Sequence, residues 1–374
     1  MADGQGSMEN LDLTALRLFG GVYQNCRVLV TGHTGFKGSW LSLWLSALGA
    51  QVTGLALPPE TAQDHWNLLK LPITNITVDI RDRAAVNKAF QEARPDLVIH
   101  MAAQSLVRRS YTQSLETWDT NLMGTVNVLE ACRDLSGLRG ILVVTSDKCY
   151  ANRETDNGYR EDDPLGGHDP YSASKAAADI AASSYRSSFF STPGAPLLAT
   201  ARAGNVIGGG DWARDRLIAD VARAQSEGAT LKIRNPQAVR PWQHVLEPLS
   251  AYLMLGQGLL KNDQRYARAW NIGPPAHESM SVSDLLKAIE KFWPGLAWET
   301  SSDSSMQETK KLTLDSAKIS KELGWQAVLD QSEQIKMTAE WYQSYSVNRK
   351  IMSCDQLLLY CQNAQKRGAV WAHA

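Results

Sequence analysis

From Cys26 to about Thr200 the chain alternates short apolar runs with longer stretches in which apolar residues recur every three or four positions. The runs are RVLVTG at 27–32, QVTGLAL at 51–57, ITVDI at 76–80, DLVIHMAA at 96–103, GILVVTS at 140–146 and PLLATARAG at 196–204. They are rich in Val, Ile and Leu, the pattern of parallel strands covered on both faces. Between them, Trp40–Leu48, Arg83–Ala93, Thr117–Asp134 and Ser172–Ser187 carry helical periodicity. This alternation predicts right-handed βαβ units and a doubly wound parallel α/β sheet. After Asn205 the rhythm changes. Gly208-Gly209-Gly210 reads as a flexible turn, Pro and Trp become frequent, and short helices are predicted at 281–292 and 315–323. This part reads as a smaller mixed α/β lobe over the C-terminal edge of the sheet, where open α/β sheets hold their ligands. The tail from about Arg349 finds no place in the scheme.

Composition narrows the class. The 374 residues suffice for two compact units. Thirty-eight basic against 39 acidic residues leave a net charge of −1, without the basic excess of a nucleic-acid binder. A hydrophobic content of 44% and a charged content of 21% exclude wholesale disorder. Cys26, Cys132, Cys149, Cys354 and Cys361 are scattered, with no CxxC and no Cys/His cluster. Neither a disulfide scaffold nor a metal site is expected, and a reducing cytoplasm fits. The opening MADGQGSMENLD is polar and acidic, unlike a secretory signal. The most apolar window, Trp40–Leu57, is broken by Ser42, Ser46, Gly49 and Gln51, so it reads as a buried helix running into a strand rather than a membrane span.

Chemistry enters at VLVTGHTGFKGSWLSLWL, which sets Gly32, Gly35 and Gly38 between a strand and an apolar helix. Glycines there permit a tight turn, let the backbone approach a pyrophosphate and bring helix and strand close, as in Rossmann-type dinucleotide sites. An acidic residue is expected about 20 residues later, at the end of the second strand, to hold a ribose. Here that strand ends Ala56-Leu57-Pro58, and Glu60 and Asp64 come only further on. Lys37 reads either as a phosphate contact or as a solvated lysine at a helix start, and His33 is equally open. A second signal is DPYSASKAAAD, where Tyr171 and Lys175 lie one helical turn apart. A lysine ammonium beside a phenol favours the phenolate and makes it a competent proton acceptor.

With these motifs in order, the sequence resembles the extended short-chain dehydrogenase/reductase family over about residues 26–325. Further shared motifs are VDIRD at 78–82, HMAAQ at 100–104, TNLMGTVNVLEA at 120–131, TSDKCY at 145–150, RAGNVIGGGD at 202–211, RPWQHV at 240–245, WNIG at 270–273 and LDSAKISKELGW at 314–325. The resemblance implies NAD as cofactor, held by Gly32, His33, Thr34, Gly35, Phe36, Lys37 and Gly38. Asp79 and Ile80 would line the adenine, and Ala102, Ala103, Gln104 and Thr120 would run along the dinucleotide to Tyr171 and Lys175. Asp79 also reads as a helix N-cap for 83–93, and Asn121 as a structural hydrogen-bonder. The implied division is a dinucleotide domain at 26–204, with 240–272 returning to it, a substrate lobe at 205–239 and 273–345, and a tail at 346–374.

Within the family, TSDK discriminates. Epimerases carry small or hydroxyl residues there, whereas 4,6-dehydratases carry an acid that expels the C6 hydroxyl. The Asp147-Lys148 pair, with Phe36-Lys37 and Arg240-Pro241-Trp242-Gln243, resembles the branch that dehydrates CDP-glucose. Ser146 would bond the sugar near Tyr171, Asp147 would act as acid, and Lys148 would be either the C5 base or a partner orienting Asp147. Ser105, Arg108, Asn205, Arg216, Leu217 and Arg240 would contact the nucleotide sugar, with Arg240 on the diphosphate; Arg216 also reads as a solvated helix residue. Another nucleotide-sugar 4,6-dehydratase or a 4-epimerase is the alternative enzyme. A catalytically dead regulator is disfavoured because both Tyr171 and Lys175 are present. The resemblance also implies a homo-oligomer paired through helices at about 117–134 and 172–187, with Ala176, Ala177, Asp179, Ile180 and Ser183 on the contact face.

Overall fold

In the computed structural model, which describes residues 11–155, 157–274, 278–301 and 312–373, seven strands form one sheet. They are β1 (Arg27–Thr31), β2 (Gln51–Ala56), β3 (Thr74–Thr77), β4 (Leu97–His100), β5 (Gly140–Val144), β6 (Leu197–Ala203) and β7 (Ala269–Ile272). Their spatial order is β3-β2-β1-β4-β5-β6-β7, and every neighbouring pair is parallel. The order reverses between β1 and β4, which opens a crevice at the strands' carboxyl ends.

The period-two alternation of the strands explains the layers. Val28, Val30, Leu97, Ile99, Leu142 and Val144 face one core, which holds the helices Phe36–Ala47 and Leu246–Leu260. Leu29, Val98, Ile141 and Val143 face the other, against Arg83–Ala93, Gly124–Arg133 and Pro170–Ser188. Among the described residues no helix is long and apolar enough to cross a membrane.

Several elements differ from the pattern-based expectation. The third strand ends at Thr77, because Asp79 turns to pair with Arg81 at 2.6 Å and the chain then enters a cap. That cap is Asp82, which accepts from the Ala85 N–H; Asp79 does not cap the helix. The helix expected at 117–134 is interrupted by a π-helical turn at Asp119–Met123, an irregularity common at functional sites. Gly208-Gly209-Gly210 is not a flexible turn. All three residues are buried, and a side chain at Gly209 would collide with the Trp341 ring, one at Gly210 with His65. On Pro170–Ser188, Ala176 and Asp179 are buried rather than outward-facing, because Asp179 continues the inner row Tyr171–Lys175 at helical spacing.

Beyond β6 the chain makes three two-stranded pairs and the helices Leu217–Glu227, Val282–Phe292, Ala317–Leu323 and Gln331–Asn348. The tail, unplaced by its sequence pattern, forms the helix Ser353–Lys366. Trp371 then stacks on Phe19 at 5.0 Å and meets Trp44 edge-on at 5.7 Å, so both chain ends close over helix Phe36–Ala47.

Candidate active site

The glycine loop leaves β1 at the crevice. Gly32 has φ 77°, and a side chain there would press on the Ala102 nitrogen at 2.7 Å. One at Gly38 would run into the Gly32 carbonyl, whereas Gly35 meets only that carbonyl at 3.4 Å. Two glycines therefore close the turn, and the third leaves an open backbone face. Gly35 begins helix Phe36–Ala47 without a side-chain cap, so the first-turn N–H groups of Phe36, Lys37 and Gly38 are free of intrahelical partners and suited to an anion. Thr34 Oγ1 donates to the Leu57 carbonyl at 2.9 Å. His33 turns inward: it is fully buried, 2.9 Å from Asn75 Oδ1 and edge-on to Trp66. Burial lowers its pKa, against the opposing hydrogen bond with Asn75.

The rest of the loop set lies along the same strand ends. Ile80 is buried against Gly124, and Asn127 Nδ2 donates to the Ile80 and Arg81 carbonyls at 3.0 and 3.2 Å. The Ala102 N–H donates to Thr31 Oγ1 at 3.1 Å. Asn121 accepts from the Gln104 N–H at 2.8 Å, donates back to its carbonyl at 3.0 Å, and donates to Ser174 Oγ at 2.9 Å. One side chain in the π-helical turn thus ties the β4 loop, with Ala103 in it, to the Tyr171 helix; Thr120 is its neighbour in that turn. The Gln104 side chain bonds to Leu106 within the loop and to Thr117 on the helix Ser114–Trp118.

Helix Pro170–Ser188 starts on Asp169, which accepts from the Ser172 N–H, with Pro170 in the first turn. It sets Tyr171 and Lys175 side by side, both under a tenth exposed. Lys175 Nζ donates to the Val144 carbonyl at 3.2 Å, and burial pushes its pKa down to about 8. Burial raises Tyr171, partly offset by a hydrogen bond with Ser146. Ser146 Oγ donates to Asp147 Oδ1 at 3.0 Å and accepts from the Lys148 N–H at 3.2 Å. Lys148 Nζ lies 3.4 Å from Asp147 Oδ1 and 3.5 Å from Asn205 Oδ1. Asp147 is 1% exposed, and its Oδ2 has no partner among the described residues.

Lys37 points into this cluster rather than to solvent. Its Nζ is 3.5 Å from Tyr252 Oη. Burial first, then the charges of Arg216 and Lys175, push its pKa down to about 8. At the rim, Arg216 donates to the Ser105 carbonyl at 3.2 Å, just ahead of Leu217, the first residue of its helix. Arg108 and Arg234 share Asp215, at 3.4 and 3.7 Å. Arg240 donates to the neighbouring Val239 carbonyl. Pro241, next to it, packs with Asp147 Oδ2 around Gly204. The arrangement can move a proton at Tyr171, hold a second acid at Asp147, and meet an anion with several cations.

A family model described as GDP-mannose 4,6 dehydratase matches residues 29–338. The chain belongs to this family, a branch of the extended short-chain dehydrogenase/reductases. The CDP-glucose 4,6-dehydratase of Salmonella typhimurium is 41% identical over 341 residues, covering 89% of this chain and 95% of that protein. The dTDP-glucose 4,6-dehydratase of Bacillus anthracis in complex with NAD superposes with a TM-score of 0.71 at 20% identity, over 87% of this chain and 99% of that one. The UDP-glucuronic acid 4-epimerase of Bacillus cereus, in complex with UDP-glucuronic acid and NAD, superposes with a TM-score of 0.73 at 22% identity, over 85% and 99%. A dehydratase and an epimerase match the backbone equally, so the fold does not separate them.

Against this family background, Tyr171, Lys175, Ser146, Asp147, Lys148, Asn205 and Lys37 come together in one cluster. Arg108, Ser105 and Arg216 form its rim, while His33 lies beneath the loop. Sequence reasoning missed Tyr252, which sits in the largely apolar helix Leu246–Leu260 and reads there as core. It also missed Arg234, which resembles any charged loop residue, and Arg202, whose partner Asp179 is far away in sequence.

Proposed function

We propose that this chain is a CDP-glucose 4,6-dehydratase, converting CDP-D-glucose to CDP-4-dehydro-6-deoxy-D-glucose and water. The observation that carries the reading is the buried Asp147 paired with the half-buried Lys148 beside Tyr171, an acid–base pair for which a 4-epimerase has no use. The 41% identical relative of that name supports the choice of base and sugar. The open Gly35 face and the free first-turn N–H groups fit the pyrophosphate of NAD, with Gly32, Thr34, Phe36, Lys37 and Gly38 around it. Asp79 and Ile80 would flank the adenine, and Ala102, Ala103, Gln104 and Thr120 the path to Tyr171 and Lys175. When bound, NAD stores a hydride taken from sugar C4 and returned to C6.

The chain's own residues handle the protons. Tyr171 takes the proton from O4 as C4 becomes a ketone, which acidifies the C5 hydrogen. One proton moved from Lys148 to Asp147 turns their ion pair into a neutral acid and a neutral amine. Lys148 then removes the C5 proton while Asp147 protonates the C6 hydroxyl, which leaves as water. Lys148 returns its proton to C5. The proton left on Tyr171 replaces, through solvent, the one Asp147 gave up, so the site ends as it began. Arg216, Arg108 and Arg240 would hold the diphosphate, where guanidinium geometry suits paired oxygens, and Ser105, Asn205 and Leu217 would contact the sugar and nucleoside. In this reading 26–204 with 240–272 carry the dinucleotide, and 205–239 with 273–345 carry the nucleotide sugar. A second copy would pair on the outer faces of Gly124–Arg133 and Pro170–Ser188, beside which Met123, Ile180 and Phe189 are exposed; a monomeric mass in solution would refute that.

The test is a panel of CDP-, dTDP-, UDP- and GDP-glucose with the purified protein. Release of a 4-keto-6-deoxy product from CDP-glucose, with no net consumption of NAD, is expected. A 4-epimer instead of that product would overturn the dehydratase reading, and preference for another nucleotide would overturn the base assignment.

A further inference from the structure

The family model ends at residue 338, yet the chain runs on through a further packed helix, Ser353–Lys366. Its first residue, Ser353, is 1% exposed and sits against His65, also 1% exposed. His65 Nε2 lies 2.7 Å from Ser353 Oγ, and its Nδ1 lies 2.8 Å from Ser39 Oγ. Ser39 Oγ also donates to the Phe36 carbonyl at 2.9 Å, and Trp341 Nε1 donates to Ser353 Oγ at 2.9 Å. The donors settle the direction of the chain. Because Ser39 uses its proton on Phe36, it accepts from His65 Nδ1–H; His65 Nε2 then accepts from the Ser353 hydroxyl, which accepts from Trp341. Every link is made once, in the order Trp341, Ser353, His65, Ser39, Phe36. The His65 ring also stacks on Trp40 at 4.9 Å, and Trp40 Nε1 donates to the Gly209 carbonyl at 2.9 Å.

We propose that Ser353 and His65 are positioning residues of the dinucleotide loop, which makes the C-terminal extension part of the cofactor site. The chain of bonds ends on the Phe36 carbonyl, in the first turn of the helix whose free N–H groups face the pyrophosphate position. Helix direction at that turn sets where those donors point, and a hydrogen bond weakens as its donor turns off line. Ser353 and His65 act through Ser39 and Trp40. This rests on the dinucleotide reading of the glycine loop given above.

The experiment measures NAD and CDP-glucose affinities separately on full-length protein, by equilibrium dialysis, for the unchanged chain and for Ser353→Ala, Ser353→Thr and His65→Phe. Ser353→Ala should weaken NAD binding about tenfold, the size of one or two lost buried hydrogen bonds, and leave CDP-glucose affinity within about twofold. Ser353→Thr, which keeps the hydroxyl, should restore NAD binding, and His65→Phe, which keeps the stack on Trp40, should resemble Ser353→Ala. Unchanged NAD affinity in both Ser353→Ala and His65→Phe would overturn the proposal. So would a parallel loss of both affinities, which marks general loosening. If the unchanged protein bound CDP-glucose but no NAD, the dinucleotide reading itself would fall, and this proposal with it.

Discussion

Two carboxylate–cation pairs flank the stretch from Thr145 to Lys148, and they are built to opposite rules. Asp179 and Arg202 form a two-pronged pair at 2.8 and 2.9 Å, and Asp179 also accepts from Thr145 Oγ1 at 2.8 Å. Arg202 has a further bond to Tyr150 Oη at 2.8 Å. Asp147 and Lys148 touch once, at 3.4 Å, and one Asp147 oxygen has no partner among the described residues although its side chain is as buried as that of Asp179. A buried charge left incompletely bonded costs stability. The saturated pair holds Thr145 in place, and with it the start of the Ser146–Lys148 turn. The unsaturated pair keeps an oxygen and a proton available, which is what a general acid requires.

The sharpest way to break this contrast is to make each carboxylate an amide. Asp147→Asn should slow water loss by ~10²–10⁴-fold, the usual worth of one general acid, and should slow deuterium exchange from solvent into C5 of recovered CDP-glucose as well, because the Lys148 proton then has no carboxylate to move to, while oxidation at C4 persists. Lys148→Met should lose both water loss and exchange; exchange that survived in it would remove Lys148 as the C5 base. Neither variant should shift the denaturation midpoint appreciably. Asp179→Asn should do the reverse, costing about 3–5 kcal/mol of stability by leaving Arg202 buried without its counter-charge, as read by urea unfolding. Equal stability loss in Asp147→Asn and Asp179→Asn would erase the distinction.

A third buried carboxylate sharpens it further. Glu247 is fully buried and accepts from the Val328 and Leu329 N–H groups and from Tyr360 Oη at 2.9 Å. Burial outweighs these bonds and raises its pKa from 4.5 to about 7. A carboxyl raised above its unfolded value contributes stability that is complete below about 4.5 and is lost as pH rises through about 7. Across that window the unfolding free energy should therefore fall, relative to Glu247→Gln, by on the order of a few kcal/mol. A constant difference between the two proteins would show that Glu247 is ionised throughout. The smallest effect belongs to the rim. Arg108 and Asp215 are 32% and 40% exposed, so Arg108→Ala should change stability by less than about 1 kcal/mol, and should act on the KM for CDP-glucose instead.

The sheet was legible because its signal is local. Val28, Leu29 and Val30 alternate between two cores, and apolar residues on both sides can only mean a strand covered twice. The glycine loop and the Tyr171–Lys175 spacing were legible for a similar reason, since each motif lies within one turn or one helix. The outer face of Pro170–Ser188 was not. Asp179 looks like a solvent residue until Arg202, a strand away, claims it. The Gly208–Gly210 turn carries the composition of a flexible link, and only the rings of Trp341 and His65 pressing on it reveal that glycine is there for lack of room.

By itself, then, the order of residues determined the parallel sheet, the glycine loop and the one-turn spacing of Tyr171 and Lys175, because periodicity and short-range spacing are properties of the chain alone; the Asp147–Lys148 pair was singled out by the family resemblance. Tertiary structure decided the rest. It turned His33 inward and Lys37 toward Tyr252, chose Asp82 over Asp79 as the cap, left one oxygen of Asp147 without a partner among the described residues, and folded the tail back so that Ser353 meets His65 at 2.7 Å across 288 residues. Such contacts depend on which surfaces the sheet brings together, and burial and hydrogen-bond completion are settled only once those surfaces have met.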